Sequence, residues 1–202
     1  MNESVLIIGV GSGLSSSLAR LCASKGMKVL LASRNVEKLN NLKEEIKAHT
    51  YKCDASNYES VFNLFKETDK LIGTPNLVIY NASSRPKRAS IIDMDPSEVQ
   101  KAINITCLGA FLVAQEAAKR MIKLKKGSIF FTGATAGIKG FANSSAFAMG
   151  KFGLRGLAQS LARELNPKGI HVAHFVIDGG IGKEPVGDYK ICLLYTSDAA
   201  DE

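Results

Sequence analysis

The sequence predicts an α/β fold in which a doubly wound, Rossmann-like parallel sheet lies between two layers of helices. Three observations support this prediction. Short runs rich in Val, Ile and Leu alternate with stretches of helical periodicity. The apolar runs are nearly continuous, as expected for parallel strands that are covered on both faces. A glycine-rich turn joins the first strand to the first helix, as at the start of a right-handed βαβ unit.

The predicted elements follow one another along the chain without a low-complexity linker. Six apolar runs predict the strands, at residues 5–8, 28–32, 50–53, 76–80, 127–132 and 170–177. Helical periodicity predicts helices at residues 14–25, 36–49, 58–68, 96–125 and 144–165. Pro96 begins the fourth helix, in which we expect one break, and the run Asn-Pro-Lys-Gly at residues 166–169 ends the fifth.

The composition is that of a globular domain. The chain has 202 residues, of which 46% are hydrophobic and 22% are charged. No apolar run has the ~18 residues of a membrane helix. The formal charge of +7 is spread over helix faces, without a basic block interleaved with aromatics. We therefore expect no membrane or nucleic-acid partner and a cytoplasmic location.

The four cysteines form no ligand cluster, so we expect no metal site.

The last residues differ in character from the rest. Residues 192–202 resemble the translation of a transposon-based sequencing adaptor, and we interpret them as a non-native tail. The competing interpretation is a genuine flexible acidic tail. Residues 1–191 then form a single dinucleotide-binding domain that is incomplete at its C-terminus. On that interpretation the fragment exposes a sheet edge, and we expect it to be poorly soluble.

The turn after the first strand predicts a phosphate-binding site. It contains Gly9, Gly11, Ser12, Gly13 and Leu14, and a helix follows at once. Glycines let the backbone turn tightly and approach a pyrophosphate closely. The helix N-terminus offers unpaired N–H groups and a partial positive charge to the phosphates. We predict that these residues bind a dinucleotide cofactor.

The end of the second strand predicts which dinucleotide binds. A site that prefers NAD(H) needs an acid there to accept a hydrogen bond from the ribose 2′-hydroxyl group. Ser33 stands at that position and Arg34 follows it. A hydroxyl and a guanidinium suit a 2′-phosphate, which a carboxylate would repel. We therefore predict that NADP(H) is preferred over NAD(H).

The glycine spacing resembles the TGxxxGxG pattern of the short-chain dehydrogenase/reductase family, and the resemblance spans residues 4–182. Gly9 and Gly13 occupy the first two glycine positions, whereas the threonine position is Ile8 and the last glycine is Ser15. The resemblance implies a seven-stranded sheet, of which six strands are present here and the seventh is missing. It also implies a small-molecule substrate and a homo-oligomeric full-length protein.

Further family landmarks add residues to the expected cofactor site. The resemblance implies that Asp54 lies against the adenine with Ala55 beside it. The family's NNAG motif corresponds to Tyr80-Asn81-Ala82-Ser83, in which its first asparagine and its glycine are replaced. Its Pro-Gly pair after the sixth strand corresponds to Asp178-Gly179. Beyond the glycine-rich turn, the implied cofactor-binding residues are Ser33, Arg34, Asp54, Ala55, Asn81, Ala82, Lys151 and Gly179.

The catalytic positions are where the sequence departs from the family. The family uses Tyr for proton transfer, Lys to lower the pKa of that Tyr and to hold the ribose, Ser to polarise the substrate oxygen, and Asn for a proton relay. Lys151 matches the lysine. The tyrosine position is Phe147, the serine position is Ala134 and the asparagine position is Thr106.

Without the phenol, other groups must supply the proton. Four stand-ins remain open: the hydroxyls of Thr135, Ser144 and Ser145, and a water bound to Lys151.

Two hypotheses about function follow from these positions. The first is an NADP(H)-dependent oxidoreductase with an atypical proton donor, which acts on a carbonyl, an alcohol or an activated alkene. The second is a catalytically silent NADP(H)-binding sensor or scaffold. In the family, substrate specificity lies largely in the loop that corresponds to residues 83–95 and in the C-terminal region.

Overall fold

The computed structural model describes residues 3–179 and residue 181. The predicted tail at 192–202 and the domain boundary at 191 lie outside these residues. Among the described residues, six strands form a single sheet in the order β3-β2-β1-β4-β5-β6, and every neighbouring pair is parallel. This confirms the predicted doubly wound sheet. The strands are β1 Ser4–Ile8, β2 Lys28–Ser33, β3 His49–Lys52, β4 Leu77–Tyr80, β5 Gly127–Thr132 and β6 Ile170–Phe175.

Helices cover the two faces of the sheet and bury two separate apolar clusters. The helices are α1 Leu14–Ser24, α2 Asn40–Ile46, α3 Tyr58–Leu71, α4 Pro96–Ile103, α5 Gly109–Leu124 and α6 Ser145–Leu165. Residues of α3, α5 and α6 pack in the larger cluster, around the fully buried Leu6, Phe65 and Phe131. Residues of α1 and α2 pack in the smaller one, around Ile7 and Leu31. None of the helices in the described part of the chain combines the length and apolarity that a bilayer crossing needs.

The predicted helix at residues 36–49 is too long at both ends. A 3-10 turn at Glu37–Leu39 precedes α2, and the N–H of Glu37 donates to the Asn35 side chain. Lys47 has a positive φ of 53°, which ends the helix. His49 then begins β3, where it pairs with Leu30. At the C-terminal end of the predicted helix, the backbone hydrogen bonds between β3 and β2 outweigh the helical periodicity of the sequence.

The predicted break in the helix at residues 96–125 is confirmed as a π-helical segment, Asn104–Leu108, between α4 and α5. Two residues hold this segment against the sheet. Tyr80, fully buried at the end of β4, donates a hydrogen bond from its hydroxyl group to the carbonyl of Ile105. Gly109 follows the segment, and a Cβ there would lie 2.7 Å from the Ala55 carbonyl oxygen. The segment therefore sits directly beside the carboxyl end of the sheet.

This packing predicts the effect of adding one methyl group. Gly109→Ala places a Cβ against both the Tyr80 hydroxyl and the Ala55 backbone, and we expect it to lower the free energy of unfolding by about 2 kcal/mol. Urea denaturation followed by circular dichroism measures this. Gly156→Ala is the control, because no atom lies within 4 Å of its added Cβ and helix α6 should gain stability. An equal effect of the two substitutions would contradict the packing.

Candidate active site

A cavity of about 230 Å³ opens at the carboxyl ends of the strands, where the strand order reverses between β1 and β4. In doubly wound sheets, ligands bind at this switch point. The chain leaves β1 toward one side of the sheet and leaves β4 toward the other, so a crevice remains between the two connections. The residues that line the cavity are Ile8, Gly9, Val10, Ser33, Arg34, Cys53, Asp54, Ala55, Asn81, Ala82, Ser83 and Ile105.

The glycine-rich turn forms one wall of this crevice. Gly9 has a φ of +80°, and a Cβ there would lie 2.4 Å from the Ala82 nitrogen, so only glycine fits. The Asn81 side chain donates to the Gly9 carbonyl at 3.2 Å. Ser15, at the family's last glycine position, is buried and accepts from the Gly11 N–H at 2.9 Å. The hydroxyl group of Ser15 therefore stabilises the conformation of the glycine-rich turn.

The helix that follows the turn begins without a side-chain cap. Gly13 is the N-cap residue of α1, and a Cβ there or at Gly11 would meet no atom within 4 Å. The predicted residues Gly11, Ser12 and Gly13 are exposed, and Leu14 is half-buried at the first position of the helix. The N-terminus of α1 therefore faces open space, as a phosphate-binding helix end requires.

The ends of β2 and β3 form the opposite wall. Arg34 is exposed on the cavity, and no carboxylate in residues 3–179 pairs with it. The nearby Asp54 carboxylate is already engaged, because its Oδ1 accepts from the backbone N–H of Ser56 at 3.0 Å and from the Ser56 hydroxyl at 2.7 Å. The positive charge of Arg34 is therefore available to an anion in the cavity.

Lys151 lies in helix α6 and is buried, with only 4% of its surface exposed. Its Nζ donates to the carbonyl oxygen of Thr132, the last residue of β5, at 2.7 Å. Burial lowers the pKa of the Lys151 ammonium group to about 8, because the charged form loses the solvation of water. The amine therefore titrates close to neutral pH.

Two cationic side chains contact the aromatic ring of Phe147. Phe147 and Lys151 are one helical turn apart in α6, and the Lys151 Nζ lies 5.8 Å from the ring centroid. The Cζ of Arg85, from the loop after β4, lies 5.5 Å from the same centroid. Both distances are within the range of a cation–π contact. The phenyl ring of Phe147 therefore joins the loop after β4 to helix α6.

Thr106 anchors the start of that same loop. It lies in the π-helical segment, and 1% of its surface is exposed. Its hydroxyl accepts from the N–H of Ser84 at 3.2 Å and lies 3.4 Å from the hydroxyl of Ser83. Gly150 packs against it, because a Cβ there would lie 3.1 Å from the Thr106 Cβ. Thr106 therefore links the loop after β4 to helix α6.

The remaining predicted catalytic residues lie after β5. Ala134 is half-buried and extended, with φ −158° and ψ 161°. The Thr135 hydroxyl donates to the Asp178 carboxylate, and the Thr135 N–H donates to the Ile177 carbonyl at 3.2 Å. The hydroxyl proton of Thr135 is thus already committed to a carboxylate. Ser144 and Ser145 are half-buried at the start of α6.

The structure brings the predicted residues together in two groups. One group lines the cavity and consists of Gly9, Ser33, Arg34, Asp54, Ala55, Asn81 and Ala82, whereas the predicted Gly11, Ser12, Gly13 and Leu14 are not among its lining residues. In the other group, Lys151 contacts Phe147, and Thr106 packs against Gly150 of the same helix. Gly179, with a φ of +133°, is not among the residues that line the cavity. Sequence reasoning missed Arg85 as an individual residue and Thr132 as a backbone acceptor. No sequence pattern near either residue predicts its role, because each role depends on a contact with a distant segment of the chain.

The fold and the site together define an oxidoreductase of the dinucleotide-binding α/β class. The chain belongs to the short chain dehydrogenase family, whose model matches residues 3–182.

Curated relatives and solved structures agree with this assignment. The 3-oxoacyl-[acyl-carrier-protein] reductase of Bos taurus is 28% identical over 196 residues, which cover 96% of this chain and 82% of that protein. The sorbitol-6-phosphate 2-dehydrogenase of Escherichia coli is 30% identical over 194 residues, which cover 92% and 74%.

Among solved structures, a short-chain dehydrogenase from Rhodopseudomonas palustris superposes with a TM-score of 0.82 and 35% identity, covering 87% of this chain and 84% of that one. An NAD⁺-bound xylitol dehydrogenase superposes with a TM-score of 0.85 and 25% identity, covering 89% and 72%. The fold predicted from the sequence is therefore that of the family.

The burial of Lys151 predicts a pH-dependent contribution to stability. In the unfolded chain its pKa is about 10.4, so between pH 8 and pH 10 the folded protein releases a proton that the unfolded chain keeps. The cost of burying the ammonium group is present below pH 8 and is relieved as the pH rises. We expect Lys151→Met to stabilise the protein more at pH 7 than at pH 10, by about 2 kcal/mol.

Urea denaturation of both proteins at the two pH values measures this difference. Lys43→Met is the matched control, because that lysine is exposed and the substitution removes a charge from the surface only. A stability difference between wild type and Lys151→Met that is the same at pH 7 and pH 10 would contradict the assigned titration.

Proposed function

We propose that this protein is an NADP(H)-dependent oxidoreductase that reduces a small carbonyl compound or an activated alkene, or oxidises the corresponding alcohol. The observation that carries the cofactor assignment is the pair Ser33 and Arg34, which lines the switch-point cavity where an NAD(H) site needs an acid. The observation that carries the chemistry is Lys151, a buried amine at the family's lysine position.

The residues of the crevice suit NADP(H). Gly9 leaves no side chain between the turn and the sheet, and the uncapped N-terminus of α1 offers N–H groups to phosphate oxygens. The Arg34 guanidinium would bind the 2′-phosphate, with the Ser33 hydroxyl beside it. The remaining proposed cofactor contacts are Gly11, Ser12, Gly13, Leu14, Asp54, Ala55, Asn81, Ala82, Lys151 and Gly179.

The proton has to come from a group other than a phenol. When bound, NADPH would supply a hydride to the substrate carbon, so one proton must reach the oxygen of a carbonyl or the α-carbon of an activated alkene. Thr135 already donates to Asp178. Tyr80 is no substitute, because burial raises the pKa of its phenol and its hydroxyl donates to Ile105. Lys151 makes one hydrogen bond within the described structure and titrates near pH 8. We assign it as the proton source, directly or through a water that it binds.

The change at the catalytic positions also fits a silent cofactor-binding protein. Phe147 and Ala134 together remove the phenol and hydroxyl that the family uses, and a sensor or scaffold would need neither. An NADPH-oxidation screen over aldehydes, ketones, quinones and enones separates the two functions. Turnover on any of them supports the oxidoreductase, whereas tight NADPH binding without turnover on all of them supports the sensor.

We propose a homo-oligomer for the full-length protein. Exposed apolar side chains lie on adjacent elements, with Leu108 at the end of the π-helical segment, Phe111 at the start of α5, and Met149 and Phe152 in α6. These elements touch, because a Cβ at Gly153 would lie 2.8 Å from the Cys107 sulfur. A second copy of the chain would bury these side chains.

Cofactor preference depends on the charge at position 34. Arg34→Asp replaces a cation on the cavity with an anion, which repels a 2′-phosphate and accepts from a 2′-hydroxyl. We expect the ratio of the NADPH and NADH dissociation constants to change by about 100-fold or more in favour of NADH. Fluorescence titration with both cofactors measures it. Lys38→Asp, an exposed cation in the next turn, is the control and should leave the ratio unchanged. Equal affinity of the wild type for both cofactors would refute the assignment.

The pH dependence of turnover tests the proton source. If Lys151 donates the proton, carbonyl reduction falls as the pH rises through about 8, and alcohol oxidation rises over the same range. Initial rates between pH 6 and pH 10 measure both arms. The double variant Phe147→Tyr with Ala134→Ser restores the family's phenol and hydroxyl, and we expect it to gain reductase activity on neutral carbonyl compounds. A flat profile for the wild type would show that Lys151 does not supply the proton.

A further inference from the structure

The loop after β4 places one guanidinium group at the ring of Phe147. Arg85 is exposed, and its Cζ lies 5.5 Å from the centroid of Phe147. The ring also contacts the Lys151 Nζ, at 5.8 Å. Arg85 and the proposed proton source therefore contact the same ring, which stands at the position of the family's proton donor.

The position of Arg85 is restrained on both sides in the chain. On one side, Ser84 is buried and its N–H donates to Thr106 at 3.2 Å. On the other, the N–H of Ala89 donates to the carbonyl of Asn143 at 3.2 Å, which ties the loop to the segment before α6. Pro86 follows Arg85 and restricts its backbone to extended conformations. The backbone that carries Arg85 is therefore restrained before any ligand arrives, and its guanidinium contacts the Phe147 ring.

The charge of Arg85 has no carboxylate partner among residues 3–179. The acids of its own loop are engaged elsewhere, since Asp93 accepts from the Ser90 hydroxyl at 2.6 Å and Asp95 caps helix α4. Asp178 accepts from Thr135. Lys87 and Arg88 lie on the same loop and add positive charge. The loop after β4 thus carries cations that pair with no carboxylate among residues 3–179.

The replacement of tyrosine by phenylalanine keeps this charge available. A phenol placed between two cations would ionise readily, because each cation favours the phenolate. That phenolate would pair with Arg85 and occupy the guanidinium. The ring of Phe147 instead holds Arg85 by a cation–π contact, which leaves its N–H donors free.

We infer that Arg85 is a specificity-determining residue and that the substrate is a small oxo or hydroxy compound that carries an anionic group, a carboxylate or a phosphate, close to the reacting carbon. The planar guanidinium binds either group in a bidentate manner. This inference rests on the proposed function, because it assigns the substrate class of that same site.

Binding of matched charged and neutral probes tests the inference without requiring turnover. The protein saturated with NADP⁺, which cannot reduce a carbonyl, is titrated by calorimetry with acetoacetate and its neutral counterpart methyl acetoacetate, and with dihydroxyacetone phosphate and its neutral counterpart dihydroxyacetone. We expect at least one anion to bind about tenfold or more tightly than its neutral counterpart. The pair that shows the preference distinguishes a carboxylate from a phosphate. Equal affinity within both pairs, or no binding of any probe, would overturn the inference.

Variants assign the effect to Arg85. Arg85→Gln should weaken binding of the preferred anion about tenfold or more and change binding of the neutral probe less than about twofold. Arg88→Gln removes an equal charge from the same loop and should retain the preference. Phe147→Tyr should reduce the preference, because the phenolate competes for Arg85. If Arg85→Gln and Arg88→Gln weakened anion binding equally, the preference would come from the overall charge of the loop, and the assignment to Arg85 would be overturned.

The two proposals fail in different ways. The titrations are repeated without NADP⁺, and NADPH binding is measured separately. Absence of NADPH binding counts against the proposed function, whereas the comparison of Arg85→Gln with the wild type still decides the anion site. Normal NADPH binding without an anion preference refutes only the inference about the substrate.

Discussion

The pairing of β1 with β4 is the constraint on which the rest of the structure depends. The two strands lie side by side in the centre of the sheet, and the chain continues from them toward opposite edges. A crevice therefore opens at their carboxyl ends. Gly9 and Ala82 approach so closely across it that no side chain fits at position 9. Arg34, Asp54 and Asn81 reach the same cavity because each ends or follows a strand at this edge.

The departures from the family pattern form one connected arrangement around the π-helical segment. Tyr80 holds the segment through the Ile105 carbonyl, and Thr106 in the segment holds the start of the loop after β4. That loop carries Arg85 to the ring of Phe147. These contacts connect Tyr80, Thr106 and Phe147 through the π-helical segment and the loop after β4.

The electrostatics of the site follow from the burial of Lys151. In the family pattern the lysine lowers the pKa of a neighbouring tyrosine. Here the corresponding ammonium group faces an aromatic ring and a backbone carbonyl, and burial lowers its own pKa. A buried cation without a counter-ion is costly to fold. An anionic ligand nearby would offset part of that cost, which links the burial of Lys151 to the chemistry proposed for the substrate.

The sequence by itself determined the sheet, the position of the glycine-rich turn and the residues at the strand ends, because apolar periodicity and turn glycines are local signals. It also located the break before α5 and the lysine of α6. Only the tertiary structure decided where α2 ends, since the ladder between His49 and Leu30 competes with helical periodicity there. Only the tertiary structure placed Arg85 on Phe147, Thr106 on the loop and Lys151 on Thr132. These contacts join segments far apart in the chain, and no pattern within one segment encodes them.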